Sequence, residues 1–106
     1  MINFDDFKKL EMRVGKINTA AKVEKSDKLL VLEVDMGEEK RQIVSGIAEF
    51  YQPEDLIGML VVVLVNLEPR KIMGLQSEGM ILAAEQGDEV ALITPGKEIA
   101  PGARIT

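Results

Sequence analysis

The sequence has no cysteine and no histidine. The first absence removes disulfides and thiolate metal sites. The second removes the usual zinc ligand and the commonest general base. The only aromatic residues are Phe4, Phe7, Phe50 and Tyr51. A core built from this chain is therefore aliphatic, and base stacking on aromatic platforms has few residues to work with. No apolar run exceeds the seven residues from Met59 to Val65, far below a membrane span. The sequence also lacks an Asp-rich calcium loop and a phosphate-cradling Gly-rich loop. Ser45-Gly46 does not sit in the Gly-x-Ser-x-Gly frame of a nucleophile elbow.

What is present suits one domain over residues 1–106, with 46% hydrophobic residues to fill a core. The first residues, Met1-Ile2-Asn3-Phe4-Asp5-Asp6, lack the charged start and apolar core of a signal peptide. A soluble, cytoplasmic protein is the expectation. Net charge is −5, which taken alone argues against a nucleic-acid partner, because phosphate binding leaves a basic footprint. The distribution softens that objection. Acids gather at Glu38-Glu39, Glu54-Asp55 and Asp88-Glu89, whereas cations group at Lys22, Lys25 and Lys28, at Lys40-Arg41, and at Arg70-Lys71.

The most informative run is Asn66 to Met80. It follows the apolar stretch Met59 to Val65, so a buried strand empties into a segment with an amide, a proline, two adjacent cations and glycines. Cations and hydrogen-bonding groups presented from a rigid scaffold suit a ligand grip. Arg70-Lys71 on a loop would reach neighbouring phosphates, arginine bidentately; the alternative is a solvated surface pair. Asn66 offers a donor and an acceptor to a base edge or ribose, or else forms a strand-end turn. Lys28 contacts phosphate or base, or pairs with Asp27 at the surface. Ser77 donates to phosphate or caps a turn, and Gly79 allows close backbone approach or a positive φ. Met80 either packs beneath a splayed base or joins the core. Asp6 with Glu11, and Glu33 with Asp35, are carboxylate pairs, but no nucleophile or third group accompanies them. They read as solvated faces rather than an acid/base pair.

The pattern predicts a short helix over Phe4 to Leu10, capped by Asn3 or Asp5. Strands follow at Arg13–Ala20, with a bulge or coil at Gly15, and at Leu29–Asp35 and Arg41–Ser45. Ile47 to Tyr51 is ambiguous and open to helix, and Pro53 to Leu56 is a helical turn with proline first. Further strands are expected at Met59–Val65, Gly79–Ala84 and Val90–Thr94, with an extended tail over Ile99 to Ile105. The fourth strand, apolar on both faces, must be covered on each side. The resulting architecture is all-β. A five-stranded Greek-key OB-fold barrel fits, with a small helix between strands 3 and 4, a short N-terminal helix and a C-terminal strand extension. From pattern alone an SH3-like barrel or a swapped β-sandwich fits nearly as well.

Several stretches together carry a resemblance: Asp5-Asp6-Phe7, Arg13-Val14-Gly15-Lys16-Ile17, Ser26-Asp27-Lys28-Leu29, Val34-Asp35-Met36-Gly37, Arg41-Gln42-Ile43-Val44-Ser45-Gly46, Val65-Asn66-Leu67-Glu68-Pro69-Arg70-Lys71, and Ser77-Glu78-Gly79-Met80-Ile81-Leu82-Ala83-Ala84. In this order and spacing the chain resembles the tRNA-binding OB domain found at the C-terminus of methionyl-tRNA synthetases. That domain also occurs as a separate β subunit and as stand-alone tRNA-binding proteins. The resemblance implies non-catalytic, structure-directed tRNA binding that augments methionyl-tRNA synthetase. It implies no catalytic site, cofactor or metal in the domain itself. The implied RNA-binding residues are Lys28, Arg41, Asn66, Arg70, Lys71, Ser77 and Met80. The implied partners are tRNA, a second copy of the chain and a methionyl-tRNA synthetase catalytic chain, with no membrane. Residues 1–12, with Ile2, Phe4 and Phe7, and residues 88–106 would form the homodimer contact. Glu24-Lys25 replaces the His-Pro of many members. Glu78 replaces a frequent Gln, and its carboxylate is unfavourable beside RNA unless it pairs with Lys71 or faces away. The family also includes a chaperone-like relative, so a protein-binding dimer module is the alternative function.

Overall fold

The structure, a computed structural model, describes residues 1–106. Helix α1 covers Phe4–Lys8. Asn3 caps it: the Asp6 amide donates to Asn3 Oδ1 at 2.9 Å, and the Asn3 amide donates to Asp6 Oδ2 at 3.3 Å. The helix stops two residues short of Leu10. None of its side chains is buried, so no packed face extends it, and five residues lie far below the length at which helices hold themselves.

Strand β1, Met12–Lys22, is longer than expected because it serves two neighbours. Its first half pairs antiparallel with β4, Leu60–Leu64, and its second half with β2, Leu30–Asp35. The register shifts between Ile17 and Thr19, so the bulge lies at Asn18 rather than Gly15. Gly15 is regularly paired opposite Val61. It must be glycine for another reason: a Cβ there would lie 2.5 Å from Val34 Cγ1 and 2.9 Å from Met36 Sδ.

Strands β2 and β3, Lys40–Ser45, form the expected hairpin. Leu30, Leu32 and Val34 alternate into the core. The stretch Ile47 to Tyr51 is a single turn in which the Phe50 and Tyr51 amides both donate to the Ile47 carbonyl. Helix does not propagate from it, since Gln52 precedes a proline and is extended. Helix α2, Pro53–Leu56, buries Leu56 completely against the core.

In β4, Val61 and Val63 belong to the main core, and Val62 and Leu64 are buried outside it. Both faces are thus covered, as the apolar run requires. The chain then makes a hairpin that the sequence reading treats as loop: β5, Arg70–Ile72, against β6, Leu75–Ser77. Its turn residues Met73 and Gly74 both have positive φ, 51° and 81°, the requirement of a tight two-residue hairpin turn. The expected fifth strand, Gly79–Ala84, divides at Leu82. Strand β7, Met80–Ile81, pairs with β4, and β8, Ala83–Gln86, leaves to pair with β9, Glu89–Leu92.

Strand order in the main sheet is β3-β2-β1-β4-β7. The barrel closes between β3 and the segment before β7. The Glu78 amide donates to the Gln42 carbonyl at 2.8 Å, and the Val44 amide donates to Ser77 Oγ at 3.0 Å. This order, closed upon itself with a helix between β3 and β4, is an OB-type barrel. The extended tail pairs antiparallel with the start of β1, beyond the end of β2: the Val14 amide donates to Ala103 O, and the Ile105 amide to Met12 O. No helix is long and apolar enough to cross a membrane.

Candidate nucleic-acid interface

The β5–β6 hairpin lies beside β3 and carries the cations singled out above. Because Arg70 and Lys71 sit in a strand, their side chains point to opposite faces of the hairpin. Arg70 is opposite Ser77 and Lys71 opposite Gln76. Two neighbouring loop cations on one front is therefore not the arrangement. Arg70, Ile72, Ser77 and Met80 line a small groove of about 70 Å³ with Val44, Leu67, Glu68 and Gly79, and Lys71 lies outside it.

Each of the remaining candidates has a defined place. Ser77 is buried; its hydroxyl accepts from the Val44 amide and donates to the Gly79 carbonyl at 3.2 Å. Arg41 is half-buried. Its Nη1 donates to Val65 O at 2.6 Å and Glu78 O at 3.1 Å, and its Nε to Glu39 Oε1 at 2.7 Å. It thereby ties the end of β4 and the turn before β7 to β3. The Asn66 amide is used twice: Oδ1 accepts from the Glu11 amide at 2.9 Å, and Nδ2 donates to Lys9 O at 2.7 Å. Lys28 is exposed on the loop before β2, its carbonyl accepting from the Ala48 amide. Met80 is 47% exposed.

The seven candidates therefore divide. Arg70, Ser77 and Met80 converge on the groove. Arg41 and Asn66 hold strand ends together and face other clefts. Lys71 and Lys28 stand apart as exposed cations. The structure contains four ion pairs, Lys9–Asp6, Arg13–Glu11, Lys40–Glu33 and Arg41–Glu39. None involves Lys28, Arg70 or Lys71, so these three charges are uncompensated on a chain of net charge −5.

Glu78 makes no ion pair with Lys71. Its Oε1 accepts from the Gln42 amide at 3.0 Å, while Gln42 Nε2 donates to Gln76 O. The carboxylate thus helps close the barrel. Gly79 allows the close approach expected of it, since a Cβ would meet Leu64 O at 3.0 Å. Sequence reasoning missed Gln42 and the groove walls Val44, Leu67 and Glu68. Val44 joins the groove only through barrel closure, whereas Leu67 and Glu68 lie in the run singled out above but are residue types that carry no binding signal by themselves. Tyr51 packs on the core and accepts from the Leu92 amide at 3.0 Å, which leaves no aromatic platform at the groove. No group of three or more carboxylates converges to hold a metal ion.

An OB-type barrel whose closing hairpin presents unpaired cations beside a shallow groove defines a small class of ligand-binding barrels. The comparisons narrow it: the family model "Putative tRNA binding domain" matches residues 12–104, and the chain belongs to that family. It is 57% identical over 104 residues to a methionine–tRNA ligase of Archaeoglobus fulgidus, a match covering 98% of this chain and 16% of the ligase. The crystal structure of a MetRS-related protein from Pyrococcus horikoshii is similar with a TM-score of 0.95 and 41% identity, covering 100% of this chain and 98% of that one. The chaperone CsaA from Bacillus anthracis str. Ames is similar with a TM-score of 0.92 and 34% identity, covering 100% and 99%.

Proposed function

We propose that this chain binds tRNA without catalysing any reaction, and that it adds affinity to a methionyl-tRNA synthetase, as an associated subunit or a domain of it. The observation that carries the reading is the pair of cations without ion pairs, Arg70 and Lys71, on the hairpin that closes an acidic barrel, with Lys28 likewise unpaired on the loop before β2. Arg70 and Lys71, on opposite faces of one hairpin, suit two phosphates on either side of a bent backbone. Lys28 adds a third contact from the loop before β2. Met80, exposed at the groove mouth, supplies a soft apolar contact to a base or ribose. Ser77, Arg41 and Asn66 serve by positioning: their polar groups fix the strand ends from which the cations project.

Recognition in this scheme reads backbone and shape. A weak contact of this kind raises overall association by effective concentration when it accompanies a catalytic chain's own grip on the same tRNA. The site is proposed to work in the cytoplasm on a homodimer. Support for the dimer comes from α1, where Phe4 is 71% exposed, and from β8–β9, a hairpin whose strands are mostly exposed. A free two-stranded hairpin is marginal by itself and gains from a cover. Sedimentation should give twice the 11.7 kDa chain mass, and Phe4→Asp should return it to one chain.

The experiment is an equilibrium titration of bulk tRNA against the full chain and against Arg70→Ala/Lys71→Ala at fixed salt. Tenfold or greater weakening in the variant is expected, and equal binding would overturn the reading. The structural likeness to chaperone CsaA favours a second reading, an apolar protein-binding surface. That binding would be indifferent to both substitutions.

A further inference from the structure

A basic cleft lies on the other side of the Asn66–Leu67 turn. It has a volume of about 230 Å³, and the charged groups lining it are Lys8, Lys9, Glu11, Arg13 and Arg104. Four cations against one carboxylate is the opposite of the chain's overall balance.

The topology forces these charges together. Arg13 and Arg104 are partners in an antiparallel bridge between β1 and the tail. Directly opposite residues share a face with Cβ atoms about 5 Å apart, where like charges repel. Arg13 is compensated: its Nε donates to Glu11 Oε1 at 3.0 Å, and its Nη1 to Gly102 O at 2.9 Å. Arg104 has no ion pair and no hydrogen bond from its side chain, and Glu11 is already committed to Arg13. Lys9 meets only an exposed Asp6 at 3.6 Å, a contact of little energy. Lys8 lies over the Phe4 ring, 5.6 Å from its centroid. An arrangement that places a free guanidinium beside three other cations is stabilised when an anion enters.

The geometry points to this cleft as a second phosphate-binding site for the same RNA, an inference that rests on the proposed function. The reason for choosing RNA is continuity. Asn66 lines this cleft, and the next two residues, Leu67 and Glu68, line the groove of Arg70 and Met80. One turn separates the two basins, so a nucleic-acid backbone leaving Arg70 passes directly to Arg104 and Lys9. The Asn66 amide, held by Glu11 N and Lys9 O, forms the shared wall. Lys8, Lys9 and Arg104 lie within the segments proposed for the dimer contact, and Lys8 lies over the Phe4 ring, so a second copy of the chain is the competing occupant, which sedimentation of each variant distinguishes from RNA.

The test uses the full chain with Lys9→Ala/Arg104→Ala, and each single change. Only side chains are removed; the Lys9 carbonyl bond to Asn66 and the backbone bridge at Arg104 remain. Binding of bulk tRNA is followed from low to moderate salt, with sedimentation on each variant. Each lost phosphate contact should flatten the slope of log K against log salt by roughly 0.7 to 0.9, a loss of about five- to eightfold in affinity at a salt tenfold below the one at which variant and wild type bind equally. Lys97→Ala, an exposed cation outside both clefts, gives the effect of losing charge alone. Arg104→Lys should bind nearly as wild type. If the double variant loses structure, the single changes and Arg104→Lys decide the matter. If Arg104→Ala and Lys9→Ala lose no more than Lys97→Ala while Arg70→Ala/Lys71→Ala is crippled, the second site is refuted and the proposed function stands. If the Arg70 and Lys71 variant is also unaffected, the proposed function falls first. Weakened tRNA binding accompanied by dissociation of the dimer would also refute the second site, assigning the cleft to the subunit contact.

Discussion

Replacing Asn66 by alanine separates a structural role from a binding role. Its amide makes two bonds to backbone groups more than fifty residues away in sequence, accepting from Glu11 N at 2.9 Å and donating to Lys9 O at 2.7 Å. These bonds, with that from Val65 N to Glu11 O, clasp the end of β4 to the start of β1. Each intramolecular hydrogen bond contributes a net ~0.5–1.5 kcal/mol. Because this region is exposed, water can replace part of the loss. The expected destabilisation is therefore about 1–2 kcal/mol, near the lower end of the two-bond sum. For a domain of this size that corresponds to a fall in Tm of roughly 4–15 °C. Thermal unfolding followed by circular dichroism measures it. Well below the transition, tRNA affinity should change less than threefold, and its salt dependence should not change. Unaltered stability together with a large loss of RNA binding would refute the reasoning, because it would show the amide reading the nucleic acid instead of clasping the barrel.

Gly15→Ala should destabilise by about 1–3 kcal/mol, the ordinary cost of overpacking, since the new Cβ would meet Val34 and Met36 inside contact distance; the urea midpoint reports it. Ser77→Ala leaves the buried Val44 amide without its acceptor. A loss of about 1–3 kcal/mol is expected, with tRNA binding by the folded fraction unchanged. Met73→Asn should stabilise by about 0.5–1 kcal/mol, because Met73 has φ of 51° and asparagine tolerates that conformation better. An unchanged denaturation midpoint would count against the turn as described.

The main strands were readable because their periodicity is simple. Leu30, Leu32 and Val34 alternate cleanly, and Val61 to Leu64 has the continuous apolar character of a strand covered on both faces. The β5–β6 hairpin was hidden for two reasons. Its strands have three residues each, too few for a pattern, and its turn is Met73-Gly74 rather than the Asn-Gly that announces such turns. The break at Leu82 was equally invisible, as the apolar run passes through it. Its cause is tertiary: the Leu82 amide donates to Val62 O, and its carbonyl accepts from the Ile93 amide.

Residue types at the candidate site were legible, but their partners were not. Arg70, Ser77 and Met80 do share a groove. Nothing local to Arg41 or Asn66 tells that Val65 O, Glu78 O, Glu11 N and Lys9 O occupy their polar groups. Those partners come from distant elements that only the closed barrel brings near. The cluster of Arg13, Arg104, Lys8 and Lys9 was unreadable for the same reason, since its members lie at the two ends of the chain. Glu78 shows the reverse case. A carboxylate that looks adverse beside an RNA site becomes intelligible once its acceptor role on the β3 edge is known.

The central claim is that uncompensated cations of the β5–β6 hairpin hold tRNA phosphates. The slope of log K against log salt for tRNA, measured on wild type and on Arg70→Ala/Lys71→Ala, tests it most directly. Three or four phosphate contacts predict a wild-type slope of about −2 to −4, flattened by roughly 1.4 to 1.8 in the variant. A slope near zero in the wild type, or identical slopes for the two proteins, would contradict the account.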